Sequence, residues 1–221
     1  MTRKRITPAE HRVILQLSTL RLRCEEIDSL RYLLSPLQGS IQRSYARVAE
    51  AEVEGSPDYL DAVVEDECGM VEETLGVAFV ACQARLTGIV SAAQRLGESA
   101  RAASKPVSLP INKRELLALG ERHSEATDYS FVALVDGFAN YYKHRDEWRT
   151  INWEKLDSRQ LPTAQVISAV GACAGSTGNL RRGAEAIGVV DLQDLSPLAR
   201  VVERWAEGIL RRATREPRAA P

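Results

Sequence analysis

The feature that most constrains the fold is a long stretch, from about Pro57 to Ala103, that carries one continuous helical pattern. Its apolar residues follow the narrow stripe, spaced by threes and fours, of a helix that lies along another helix. Ser56 precedes the stretch as a suitable N-cap. We therefore expect one very long helix here. The stripe consists of Val71, Leu75, Ala78, Phe79, Cys82, Leu86, Ile89, Ala93 and Leu96.

The N-terminal segment carries a second stripe of the same kind. Thr7-Pro8-Ala9-Glu10 has the pattern of a capping box with proline at the first helical position, and it predicts a helix to about Leu34. Ser35-Pro36-Leu37-Gln38 repeats this signature and predicts a second helix to about Val53. Long helices with matching stripes should pack antiparallel at a shallow angle. The second stripe consists of Val13, Leu17, Leu20, Cys24, Ile27 and Leu34.

The remaining chain predicts shorter helices. Asn112 is a suitable cap for a short helix, and a longer one is expected from about Ser124 to Trp148. Further helices are predicted near Thr163–Ala174, Asn179–Ile187 and from Ser196 onward. The prediction is an all-α fold: a long-helix antiparallel bundle over residues 1–150 and a C-terminal helical extension over 151–221. The basic tail beyond Thr214 is expected to be disordered.

Charge is balanced over the chain but unevenly placed. The net charge of −1 gives no overall attraction to nucleic acid or membrane. Ten acidic residues and no Lys or Arg lie between Val48 and Ala84, whereas both chain ends are basic. One interpretation is a solvated acidic face with two basic ends. The other is a self-complementary surface that pairs acidic and basic patches between protomers.

Cysteine usage and hydropathy predict a cytoplasmic protein without a membrane partner. The cysteines lack a C-x-x-C pair, so buried free thiols are expected instead of disulfides or a zinc site. The N-terminus has no apolar signal core, and the apolar runs are too short to span a bilayer. We expect no cofactor. The cysteines are Cys24, Cys68, Cys82 and Cys173.

Two other patterns have weaker functional meanings. The glycines between Gly171 and Asn179 lack the lysine and the preceding strand of a phosphate-binding loop, so they predict a helix connection with Asn179 as a cap. The flanking helices could form a helix-turn-helix that places Arg181 and Arg182 in the major groove of DNA.

Asp61, Glu65 and Glu72 share a helical ridge but lack neighbouring histidines, so no metal site is expected.

The most distinctive segment runs from Phe138 to Trp148. Asn140, His144 and Trp148 are four residues apart and would share one face of a continuous helix. An amide one turn before an imidazole can fix its tautomer for general acid–base catalysis. The alternative is that Asn140 and His144 form an interhelical polar contact while Trp148 closes the core.

Long antiparallel helices followed by this segment resemble the HEPN superfamily of bacterial toxin and defence proteins. The nuclease motif of that family is Arg, a polar residue, three more residues and His. Asn140 and His144 match it within about residues 7–150, but Ala139 stands in place of the arginine. Alanine cannot stabilise charge on a scissile phosphate, so the resemblance implies a member that does not cut RNA.

The expected function is therefore a non-catalytic binding or assembly module, in a toxin–antitoxin or defence system, that contacts RNA or a partner protein and forms a homodimer. The alternatives are a metal-independent endoribonuclease using His144 and Asn140, and a DNA-binding regulator. Rebuilding the motif by Ala139→Arg would require residue 139 to lie on an exposed face. The binding residues are predicted to be Lys143, Arg145, Trp148, Arg181 and Arg182.

Overall fold

The computed structural model describes residues 6–26, 28–122, 128–148, 155–173 and 176–215. Through these ranges the chain is an all-α bundle of long packed helices, as predicted. Across the same ranges the β-type pairing is a single isolated bridge between Arg122 and Ser130.

Helix α1 spans Pro8–Glu25 and begins at the predicted capping box. The Glu10 amide donates to the Thr7 hydroxyl (3.2 Å), and the Thr7 amide donates to the Glu10 carboxylate (2.9 Å). The prediction of one helix to Leu34 is wrong, because α1 ends at Glu25. Arg85 donates to the Arg23 carbonyl and to the carboxylate of Glu26 (2.8 Å), so a tertiary contact occupies the last turn of the helix.

Helix α2 spans Asp28–Glu54 and contains Pro36 in its interior. The predicted helix start at Ser35 is therefore wrong. An internal proline removes one backbone hydrogen bond and normally breaks or kinks a helix. Leu34 and Ile41 are buried on either side of Pro36, and this packing holds the segment helical.

Helix α3 spans Pro57–Ala102, which confirms the predicted long helix. The Ser56 hydroxyl accepts the Tyr59 amide (3.4 Å) at its start. α2 and α3 are joined by Gly55 and Ser56, and an ion pair of 2.9 Å links Glu10 of α1 to Lys105 just after α3. α1 and α2 therefore run antiparallel along α3. Every member of the predicted stripe on α3 is buried except Val71, which is half-buried.

By length and composition α3 could also cross a membrane. However, 56% of its most apolar 18-residue window is buried inside the bundle, as in the core helix of a soluble protein. Cytoplasmic localisation stays a prediction.

Three shorter helices follow: α4 (Lys113–Ala118), α5 (Phe131–Lys143) and α6 (Arg145–Trp148). Asn112 caps α4 as predicted, since its side chain accepts the Arg114 amide (2.8 Å). The predicted helix from Ser124 to Trp148 is wrong at both ends. Ser130 caps α5 and also donates to the buried Leu117 carbonyl (2.6 Å), which fixes the start of the helix, and the helix stops at His144.

The C-terminal helices are α7 (Gln160–Ser168), α8 (Asn179–Ala186) and α9 (Ser196–Thr214). α7 packs on α5, whereas α8 and α9 pack on both α3 and α5. The buried side chains of all three helices belong to the same hydrophobic core. Glycine at position 183 allows α8 to approach α5 closely, because a Cβ there would lie 2.7 Å from the ring of Phe138. The predicted domain boundary at residue 150 and most of the predicted tail lie outside the described residues.

Asn179 does not cap α8 as predicted. Gly178, with φ 78°, takes the N-cap position. Asn179 is buried instead, and its amide donates to the Tyr141 hydroxyl (2.9 Å) and to the Cys173 carbonyl (2.6 Å). It therefore ties the connection before α8 to α5.

Candidate functional site at the end of α5

His144 lies where α5 ends. Its backbone amide bonds to the Asn140 carbonyl (3.2 Å), and its φ of −112° and ψ of 18° depart from helical values. The chain then turns into α6. The predicted shared face is therefore wrong: the His144 side chain is exposed, whereas Trp148 is buried and its ring lies 6.0 Å from that of Tyr141.

Asn140 belongs to a polar network between α3 and α5. Its side-chain oxygen accepts a hydrogen bond from the buried Gln83 (2.9 Å). Gln83 also donates to the Asp136 carboxylate (2.8 Å), which accepts from Lys113 (2.8 Å). Asn140 thus makes the interhelical contact that was one of its two predicted roles, but with Gln83 as partner in place of His144.

The imidazole of His144 pairs with a different residue. Its Nδ1 shares a hydrogen bond of 2.9 Å with the Glu147 carboxylate, and both side chains are more than half exposed. Lys143 is exposed next to it in the chain. An imidazole held by a carboxylate can transfer a proton at Nε2. The amide of Asn140, however, is engaged elsewhere and does not orient this ring.

Arg145 forms an ion pair with a residue of α3. Its guanidinium forms an ion pair with Glu73 and lies 5.0 Å from the centre of the Tyr142 ring, a cation–π distance. The Tyr142 hydroxyl also donates to Glu73 (2.9 Å). Burial and the neighbouring Glu73 raise the pKa of Tyr142, and the hydrogen bond to Glu73 raises the pKa of Arg145.

The adjacent residue of α3, Glu72, caps α8 from outside that helix. Its carboxylate accepts the backbone amides of Leu180 (3.2 Å) and Arg181 (3.0 Å), and it lies at the positive end of the helix dipole. Burial nevertheless raises the pKa of Glu72. The acidic stretch is therefore not entirely a solvated face, since Glu72 is half-buried and Glu67 is buried beside Arg47.

The arginines at the start of α8 are exposed but engaged. Arg181 forms an ion pair with Glu185 (2.9 Å), and Arg182 donates to the Gly171 carbonyl (2.6 Å). Because Glu72 and Glu73 are consecutive, the starts of α6 and α8 are brought to the same section of α3. We use the name α5–α8 surface for the cations at the end of α5 and at the starts of α6 and α8, which are Lys143, Arg145, Arg181 and Arg182.

Ala139 is fully buried in the core. The condition for rebuilding the motif by Ala139→Arg, an exposed residue 139, is therefore not met, because an arginine there would have to displace packed side chains. Sequence reasoning also missed Gln83 and Glu73. The signal for Gln83 was present, since it is a polar residue directly beside Cys82 within the apolar half of α3.

The cysteines divide into two groups. Cys24 and Cys82 are buried, and burial raises the pKa of their thiols to about 11 and about 12. Cys68 and Cys173 are exposed, so the prediction that all four are buried is wrong. Within the described ranges, His, Cys, Asp and Glu side chains form no group of three or more that could hold a metal ion.

Comparisons with protein-family models, with curated proteins and with solved structures found no match for this chain.

Proposed function

We propose that this protein is a non-catalytic helical binding module, and that the α5–α8 surface contacts a partner protein. The observation that carries the proposal is the engagement of the surface cations within the fold. Arg145 and Arg181 are paired with Glu73 and Glu185, and Arg182 is bonded to a backbone carbonyl.

Such a surface suits a protein better than RNA. RNA affinity depends on cations that neutralise phosphates and release counterions. Here phosphates would have to displace carboxylates that lie in the same surface. Protein interfaces, in contrast, use preorganised arginines within a rim of mixed charge for orientation and specificity.

The positions of Ala139 and Asn140 support the absence of catalysis. Residue 139 is buried, so an arginine in the manner of the HEPN nucleases has no place there, and Asn140 is held by Gln83. Of the predicted catalytic pair, Asn140 and His144, only His144 is left, and its side-chain partner is Glu147. The proposed relation is that of a HEPN-like bundle that has lost the nuclease motif and kept a binding surface.

The first experiment separates this function from the endoribonuclease. We expect the purified protein to leave labelled single-stranded RNA intact over several hours, with or without divalent metal. Fluorescence anisotropy at physiological salt should give RNA affinity no tighter than the nonspecific range of roughly 10⁻⁴–10⁻⁶ M. RNA cleavage that disappears in His144→Ala, with an unchanged circular dichroism spectrum, would replace this proposal by the enzyme.

The second experiment locates the partner surface. A photoreactive amino acid at Lys143 should cross-link one protein in the native cell. The matched control carries it at the exposed Glu98, 25 residues after Glu73 on α3 and therefore roughly 38 Å away. Cross-linking that requires position 143 and is weakened by Arg181→Glu supports the proposal, whereas equal cross-linking from position 98 counts against it.

A further inference from the structure

The loop between α3 and α4 doubles back along the last turns of α3. Ser104, with a φ of 51°, takes a left-handed conformation just after the helix ends. The Lys105 amide then donates to the Ala100 carbonyl (2.8 Å). At the other end of the loop, the Ile111 carbonyl accepts a hydrogen bond from the Gln94 side chain (2.8 Å). Both ends of the loop are therefore fixed to α3.

An open hollow of about 610 Å³ is enclosed by this loop, the end of α3 and the start of α4. Binding sites for small molecules have volumes of this order, and their walls are mainly apolar with a few polar groups. The apolar side chains here can cover an apolar part of a ligand, because they come from both the loop and α3. They include Ala100, Val107, Leu109, Pro110 and Ile111.

The polar groups of the hollow are mainly hydrogen-bond donors. Arg101 is exposed, and within the described ranges its side chain has no ion pair or hydrogen bond. The Lys105 ammonium forms an ion pair with Glu10 (2.9 Å) but carries three donors. The side-chain oxygen of Asn112 accepts a backbone amide at the start of α4, which leaves its NH₂ group to face a ligand. The lining also contains the carboxylate of Glu115.

We infer that this hollow binds a small organic acid. Its carboxylate pairs with Arg101, and its apolar body lies against Val107, Leu109 and Ile111. The excess of donors over carboxylates in the lining favours a negatively charged group, and a guanidinium can bind a carboxylate through two parallel hydrogen bonds. The hollow is formed by residues 97–115 and the α5–α8 surface by residues 143–182, so the two proposals can fail independently.

The first test uses 4-phenylbutyrate, which joins a carboxylate to an apolar body. In an NMR titration of the methyl-labelled protein it should shift the signals of Val107, Leu109 and Ile111. A dissociation constant on the order of 1 mM or lower is expected for a ligand of this size. The methyl signals of Leu161, which is 44% exposed on α7, should stay unchanged.

Two matched compounds test the parts of the ligand separately. Acetate lacks the apolar body, and 4-phenylbutylamine replaces the carboxylate by an ammonium group. Each should bind at least about tenfold more weakly than 4-phenylbutyrate, because each loses one of the two interactions. Equal affinity for the amine, or shifts at Leu161 as large as those at Val107, would overturn the inference.

The second test changes the charges of the hollow. Arg101→Gln should raise the dissociation constant of 4-phenylbutyrate at least about tenfold, because hydrogen bonds between charged groups are the strong ones. The control is Arg95→Gln, since Arg95 is also exposed on α3 but lies outside the hollow. Glu115→Gln should tighten binding, because it removes a negative charge from the lining.

Circular dichroism should show that all three variants are folded. Three results would each overturn the inference: a wild type that does not bind 4-phenylbutyrate, equal affinities of Arg101→Gln and Arg95→Gln, and weaker binding by Glu115→Gln.

Discussion

The two halves of α3 form one uninterrupted helix, but they are held in different ways. In the first half, up to Glu73, only Val63 and Glu67 are buried. In the second half, from Thr74 to Ala100, buried residues recur on every turn and include Phe79, which stacks on Phe138 of α5 at 5.5 Å. The first half must therefore depend more on local and polar contacts, and the second on burial.

The contacts along α3 support this difference. The first half has a cap at Ser56 and the Arg47–Glu67 ion pair of 2.5 Å to α2. The second half lies against α1, α5 and α9 within one core. A single helix can thus be specified by different physical terms at its two ends, and substitutions should separate them.

The largest effect is expected in the buried half. Phe79→Ala should lower the free energy of unfolding by about 3–5 kcal/mol, because it leaves a cavity against Phe138. Met70→Ala, at a 51% exposed position of the first half, should change it by less than about 0.5 kcal/mol. Denaturant titration followed by circular dichroism measures both. Equal losses would remove the distinction between the halves.

A smaller effect is expected from the ion pair of the first half. Arg47→Ala should cost about 1–3 kcal/mol, because it leaves the buried Glu67 carboxylate without its cation. Adding Glu67→Gln should recover part of the loss by removing the unpaired charge. Arg43→Ala, another exposed arginine of α2, is the control in the same urea titration. If Arg47→Ala and Arg43→Ala behave alike, burial of Glu67 has no energetic role.

The cap of α3 should have an effect of about 1 kcal/mol. Ser56→Ala removes the acceptor for the Tyr59 amide, whereas Ser56→Asp retains one. Hydrogen exchange should show faster opening in the first turns of α3 for Ser56→Ala alone. Faster exchange that extends into the second half would mean that the two halves unfold together.

The smallest effect concerns pH at the boundary between the halves. Because burial raises the pKa of Glu72, the folded state holds its proton more tightly than the unfolded state. Stability from this group is therefore present at low pH and decreases as pH rises from about 4.5 through the raised pKa. The wild type should lose stability relative to Glu72→Gln over that window, as measured by thermal unfolding at several pH values. Glu65→Gln, at an exposed position of α3, is the control. A wild type that gains stability relative to Glu72→Gln as pH rises would contradict the assignment.

Much of the fold could be predicted because it depends on local chemistry. The capping groups of Thr7, Ser56 and Asn112 act within three residues of their own position, and all three are confirmed. Gly188, directly after the predicted end of a helix at Ile187, has the φ of 94° that favours glycine. The apolar stripe of α3 depends only on periodicity.

The candidate site was less predictable because its residues depend on distant partners. A continuous helix would place Asn140 and His144 on one face. Their partners are instead Gln83, 57 residues away, and Glu147 in the turn that follows. No spacing rule within one segment could reveal Gln83, whereas the three-residue spacing from His144 to Glu147 lies within one segment.

The sequence by itself determined the all-α class, the long α3 and the caps of α1, α3 and α4, because propensity, capping and periodicity act over a few neighbouring residues. Only the tertiary structure decided where α1 stops, that α2 continues through Pro36, and that Glu72 caps α8. These outcomes depend on side chains such as Arg85 and Glu72, which reach backbone groups far along the chain. A buried or competing hydrogen bond of this kind can override local preference, and it exists only once the helices have packed.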